Sequence, residues 1–227
     1  MTFLSIGHRG LMGVEPENTL RSFARAEREG VDLVELDLHL SKDGALVVMH
    51  DTKVDRTTDG SGAIADLTLA ELRSLDAGEG ERVPVFEEVL DAVAAPLQAE
   101  IKDVAAAESL AAVLRERDLL DRVEVISFHD EALAATRKLL PEARTALVAG
   151  RFKRDVVDRA LAVGATRLSL DVRRVTLEVV EQAHAAGLTV ISWTVNTEDQ
   201  LTMVRAMGLD GAVTDEPAIH RAVRAAS

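Results

Sequence analysis

The 227-residue chain predicts an α/β fold, a (β/α)8 TIM barrel with a small insertion after the second barrel strand. Short apolar runs alternate with helical patterns almost from end to end, and eight strand–helix units suffice to close a parallel barrel. Several helical patterns stop at a glycine (Gly30, Gly164, Gly187, Gly208), where a left-handed cap is expected. Only one interval, residues 39–96, is much longer than a single crossover helix requires. An open doubly wound sheet is the competitor. It usually has fewer strands, and no GxGxxG follows the first strand here.

The first strand is "FLSI" (3–6), followed by a helix over 19–29 with Asn18 as its N-cap. The second strand, "LVELDL" (33–38), alternates faces, so Leu33, Glu35 and Asp37 point one way and Val34, Leu36 and Leu38 the other. A "SKDG" turn then leads into "ALVVMH" (45–50), read as the hairpin partner of the second strand. A polar, glycine-containing excursion follows, with one short helix near 68–75. Extra length after a barrel strand lies at the carboxyl-terminal face, so the segment at about 39–85 reads as a lid or wall within one catalytic domain, 1–227. The later strands are expected at 97–101, 123–127, 144–148, 167–170, 189–193 and 211–214. Helices are expected at 86–94, 105–118, 130–140, 153–163, 176–186, 197–207 and 216–226.

Composition narrows the chemistry. The chain has no cysteine, which excludes thiol catalysis, zinc–thiolate sites and disulfides. "MTFLSIGHRG" has neither a basic n-region nor a long apolar run, so no signal peptide is expected. No apolar stretch approaches the roughly 18–20 residues of a membrane span, and the expectation is a soluble cytoplasmic protein. A net charge of −13 argues against nucleic acid or an anionic membrane as partner. It also means that an anionic small substrate needs a local positive site. Only five residues are lysine, so Lys102 at a strand end stands out. The sequence says nothing of oligomeric state.

Polar residues gather at the strand ends. His8 and Arg9 follow the first strand, and Glu35 and Asp37 fill the second half of the second. Glu100 and Lys102 end the third, Ser127 and Phe128 the fourth, Trp193 the seventh, and Thr214 with Asp215 the eighth. His50 closes the hairpin. Singly, each has a bland reading: a loop histidine, or an ion pair at the barrel mouth. His39, His129, His184 and His220 lack such company, and His184 and His220 are expected to be exposed on helices. Converging on one rim, the main set asks for chemistry. Three carboxylates on rigid strands (Glu35, Asp37, Glu100) suit one hard divalent cation, Mg2+ or Ca2+. Arg9 and Lys102 beside it make an anion clamp, each cation offering roughly 4 kcal/mol within about 4 Å at an effective dielectric near 20. Two histidines can exchange protons at neutral pH. Together these describe phosphodiester cleavage.

The motifs "GHRG", "PENT", "ELDLHLSKDGALVVMHD", "DRTTDGSG", "EIK", "SF", "WTVN" and "GAVTDEP" resemble, in order and spacing, the glycerophosphodiester phosphodiesterase family. The resemblance runs from residue 7 to 217 and implies a TIM barrel with an insertion after the second strand. It implies hydrolysis of glycerophosphodiesters, such as deacylated phospholipids, to an alcohol and sn-glycerol 3-phosphate. By position it implies metal ligands at Glu35, Asp37 and Glu100, catalytic histidines at His8 and His50, and phosphate-contacting cations at Arg9 and Lys102. Phe128 and Trp193 match apolar positions near the glycerol moiety. Ser41 and the pair Gln98-Ala99 depart from the family pattern without touching an expected ligand. The constellation and the likeness together imply His8 as base towards the glycerol 2-hydroxyl, a cyclic phosphate, and His50 as acid to the leaving alcohol. Direct attack by water is the alternative, and the two histidine labels can exchange. A lysophospholipase D or phospholipase C-like activity on lipid is the competing function. The acidic surface and 3% aromatic content weigh against it. A barrel that only binds phosphate would have lost part of the set, and none is lost.

Overall fold

The structure, a computed structural model, describes residues 3–151 and 155–225. The chain begins with β1 (Leu4–Gly7), α1 (Leu20–Glu29), β2 (Leu33–Leu40) and the short β3 (Leu46–Val48). Single 3-10 turns at Val54–Arg56 and Ile64–Asp66 and helix α2 (Leu69–Leu72) complete the insert. Then come α3 (Phe86–Ala92), β4 (Leu97–Ile101), α4 (Ala106–Glu116), β5 (Val123–Ser127), α5 (Asp130–Leu139) and β6 (Thr145–Ala149). The last units are α6 (Val156–Ala162), β7 (Arg167–Asp171), α7 (Leu177–Ala185), β8 (Thr189–Trp193), α8 (Glu198–Ala206), β9 (Gly211–Thr214) and α9 (Pro217–Ala225). The beginning of the expected helix 153–163 and the end of 216–226 lie outside the described residues.

Eight strands pair in parallel, and β1 joins both β9 and β2, closing a (β/α)8 TIM barrel. The ninth, β3, pairs antiparallel with the end of β2, Leu38 opposite Val48, as the hairpin pattern requires. Alternation of the strands sorts their side chains. Val34, Leu36 and Leu38 turn outward to Phe23, Phe86 and Leu110 of the surrounding helices. The second half of the ring repeats this with Leu147, Leu168 and Val190 against α6, α7 and α8. Inside, Ile6, Leu33, Ile191 and Val213 form one apolar plug, and Ile126, Ala146 and Val148 another. The insert has a small core of its own around Val47, Val54, Ile64 and Leu72. Its helix α2 starts at a capping box between Thr68 and Glu71.

Two expectations are corrected. The N-cap of α1 is Thr19, whose hydroxyl accepts from the Ser22 amide; Asn18 has φ 57° and turns inward instead. His220 is buried, not exposed, with Nδ1 hydrogen-bonded to the Ser5 hydroxyl, because α9 packs this face against β1. His184 is exposed as expected, paired with Asp210 at 2.9 Å.

Candidate active site

The inward face of β2 carries Glu35 and Asp37, and register sets Asp37 beside Glu100 of β4. The three side chains are 4%, 1% and 6% exposed, and an oxygen of each lies within 4.8 Å of the others. Two cations offset three carboxylates. Lys102 Nζ is 2.7 Å from Glu100 and 3.1 Å from Asp37. Arg9 Nε is 3.2 Å from Asp37 but is not aligned for a hydrogen bond, while its Nη1 donates to Glu17 at 2.7 Å. Arg9 reaches this point from a tight turn. Gly10 has φ +85°, and a Cβ there would collide with Ser22. The Arg9 amide also donates to Glu35 at 2.9 Å.

Proton affinities show how uneven the compensation is. Burial would push Asp37 up, but Lys102 and Arg9 outweigh it and hold the group at about 2. Burial, then the charge of Asp37, lifts Glu100 to about 7 against the pull of Lys102. Glu35 is raised well above its ordinary value by burial and by its two acidic neighbours. Such a cluster, all oxygen and short of positive charge, fits a hard divalent cation.

Both expected histidines face the same cavity, which measures about 250 Å3. His8 Nδ1 is 2.6 Å from Asp215, and His50 Nδ1 is 2.6 Å from Asp51. A carboxylate only accepts, so Nδ1 carries the proton and Nε2 of each ring is left for the cavity. Burial, with Lys102 and Arg9 nearby, lowers the pKa of His50 against the opposing charge of Asp37. Phe128 and Trp193 meet edge to face, ring centres 5.6 Å apart, and line the cavity with Ile126, Val148 and Val213. Lys102 Nζ sits 5.6 Å from the Phe128 ring centre.

The nine residues assigned a metal, catalytic or substrate role from the sequence are therefore gathered here. Several that hold them in place were missed. Asn18, buried, donates to Asp37 at 2.8 Å. Glu17, Arg56 and Asp51 form a chain of ion pairs from Arg9 to His50. Asn196 donates to Asp215 at 2.6 Å and accepts from its amide at 3.0 Å. His39 bonds the His50 carbonyl at 3.1 Å. The signal for Glu17 and Asn18 was present in "PENT", but a polar loop does not announce which way it turns.

A closed barrel with an acidic cluster, two carboxylate-bound histidines and paired cations at its mouth defines a phosphoric diester hydrolase. The chain belongs to the glycerophosphoryl diester phosphodiesterase family, whose model matches residues 8–219. A glycerophosphodiester phosphodiesterase from Caldanaerobacter subterraneus subsp. tengcongensis is 34% identical, with 96% of each chain covered. One from Bacillus subtilis is 32% identical over 97% of this chain and 86% of its own. Among solved structures, a phosphodiesterase from Oleispira antarctica in complex with the product sn-glycerol-3-phosphate superposes with a TM-score of 0.90. It is 29% identical, with 98% of this chain and 96% of that one covered.

Proposed function

We propose that the chain hydrolyses glycerophosphodiesters, such as glycerophosphocholine and glycerophosphoethanolamine, to sn-glycerol 3-phosphate and an alcohol. The observation that carries this reading is the pairing of two carboxylate-oriented histidines with the Glu35–Asp37–Glu100 cluster in one cavity. Glu35, Asp37 and Glu100 would hold one Mg2+ or Ca2+, which when bound supplies positive charge for the phosphate and acidifies a nearby hydroxyl.

The chain's own residues do the rest. Arg9 Nε, without an aligned acceptor among the described residues, and Lys102 bind the phosphate oxygens. Phe128 and Trp193 pack against the glycerol carbons. His8 Nε2 takes the proton of the glycerol 2-hydroxyl, and that oxygen bonds to phosphorus as the bond to the alcohol oxygen breaks. His50, which enters the step as the imidazolium with a second proton on Nε2, gives that Nε2 proton to the departing oxygen and keeps the one that Asp51 holds on Nδ1. The roles then reverse as water opens the cyclic phosphate, which returns both histidines to their starting states. Asp215 and Asp51 hold the rings in the tautomer that this exchange needs.

Release of sn-glycerol 3-phosphate from both diesters, measured before and after EDTA and with either metal restored, tests the reading. We expect release to stop on chelation and return with one of the two cations. Release unaffected by EDTA overturns the metal assignment. Cleavage of lysophosphatidylcholine in place of glycerophosphocholine overturns the substrate.

A further inference from the structure

One polar group on the cavity wall has no part in the chemistry above. Gln98 is 0% exposed and lines the cavity from β4, on the same inward face as Glu100. Its Nε2 donates to Glu124 at 2.6 Å, and Glu124 accepts from Arg167 at 2.6 Å. Arg167 is itself fixed by Thr189, its Nε donating at 3.1 Å. A carboxylate cannot donate, so the amide nitrogen must face Glu124, and Oε1 is turned away from it. That oxygen is buried and has no hydrogen-bond partner among the described residues. An unpaired buried acceptor is destabilising. The ion pair beneath it maintains the orientation regardless.

What would supply the missing donor? Gln98 sits two residues before Glu100, about 6–7 Å back along the strand and so deeper in the barrel. A three-carbon polyol whose phosphate rests at the carboxylate cluster reaches that depth with its far hydroxyl. Ile126, Val148 and Val213 make much of the surrounding wall apolar, Ser169 and Thr194 being the hydroxyl side chains that also line the cavity, and neither is hydrogen-bonded to Gln98. The volume of about 250 Å3 is below that of pockets for drug-sized ligands, about 300–1,000 Å3, and suits a small polyol.

We propose that Gln98 Oε1, held by Glu124 and Arg167, accepts a hydrogen bond from the free terminal hydroxyl of the glycerol unit and so confines the enzyme to deacylated substrates. This rests on the glycerophosphodiester reading. It makes Gln98 a specificity-determining residue, supported from below by a buried ion pair.

The test compares wild type with Gln98→Met, close in shape and without the acceptor. The substrates are glycerophosphocholine and the analogue lacking only the terminal hydroxyl. Wild type should lose 10–100-fold in kcat/KM on the analogue. Gln98→Met should show that same loss on glycerophosphocholine and no further loss on the analogue. Equal losses on both substrates would mean that Gln98 only maintains structure, and would overturn the proposal. Should Gln98→Met fail to fold, Gln98→Asn, which withdraws the acceptor by one methylene, takes its place in the same comparison. Binding of sn-glycerol 3-phosphate and of inorganic phosphate is measured in parallel. A preference for the first that the variant abolishes supports the proposal, and equal affinity in wild type overturns it. If wild type cleaves no glycerophosphodiester, the proposed function fails, and the binding comparison still decides the role of Gln98.

Discussion

His8 lies in the turn after β1 and His50 in the insert, yet each is held by a carboxylate in the same way. Neither ring carries the fold, since the cores lie outside the strands and inside the barrel below. His8→Ala and His50→Ala should each lower turnover by about 10²–10⁴-fold, the usual worth of a general acid or base, with an unchanged thermal midpoint. Near-normal kcat in either variant would remove that residue from the mechanism. Glu35 and Asp37 were legible because a strand has two faces, and a carboxylate pair on the inward one has no structural purpose. Asn18 was not legible in the same way. Beside a helical pattern, asparagine reads as a cap, and only the positive φ and the hydrogen bond to Asp37 show its other task.

The insert brings more than a wall. Arg56, in the 3-10 turn Val54–Arg56, donates to Asp51 at 2.8 and 3.1 Å and to Glu17 at 2.7 and 2.8 Å. Asp51 holds His50 and Glu17 holds Arg9, so one arginine ties the insert to both sides of the site. Arg56 is 47% exposed, and exposed ion pairs contribute about 0–1 kcal/mol to stability. Its removal should therefore show in catalysis. Arg56→Ala is expected to lower kcat about tenfold and to move stability by less than about 1 kcal/mol. In a His50→Ala background the further loss should shrink, because the ring that Arg56 steadies through Asp51 is gone. Losses that simply multiply would show that Arg56 acts by another route. The hairpin and the short helix of this insert were readable from turn residues and alternation. The ion-pair chain was not, because a polar excursion has no period to fix which charges meet.

The barrel as a whole was readable because eight strand–helix units repeat one hydrophobic rhythm, and ring closure follows from their number. Burial of one helix face against the first strand left no such trace at His220. A histidine in the helical pattern "IHRAVRA" reads as exposed, yet α9 packs against the amino-terminal strand β1. The consequence is a dependence of stability on pH. Burial lowers the His220 pKa to about 4, with Arg224 and Arg221 adding to the effect and Glu29 opposing it. In the unfolded chain the same ring titrates near about 6.5. Above that pH both states hold it neutral, and it costs nothing. As pH falls from about 6.5 towards 4, the unfolded chain gains a proton that the folded protein does not, so stability declines. The full effect is roughly 3 kcal/mol, from 1.36 kcal/mol per pKa unit. Urea midpoints measured from pH 7 to pH 4.5 on wild type and His220→Gln should therefore converge as the pH drops, the variant falling less steeply. Acidic residues titrate alike in both proteins and cancel from the difference. Parallel curves would mean that His220 gains its proton without leaving β1, and that the last helix is not pinned by a neutral ring.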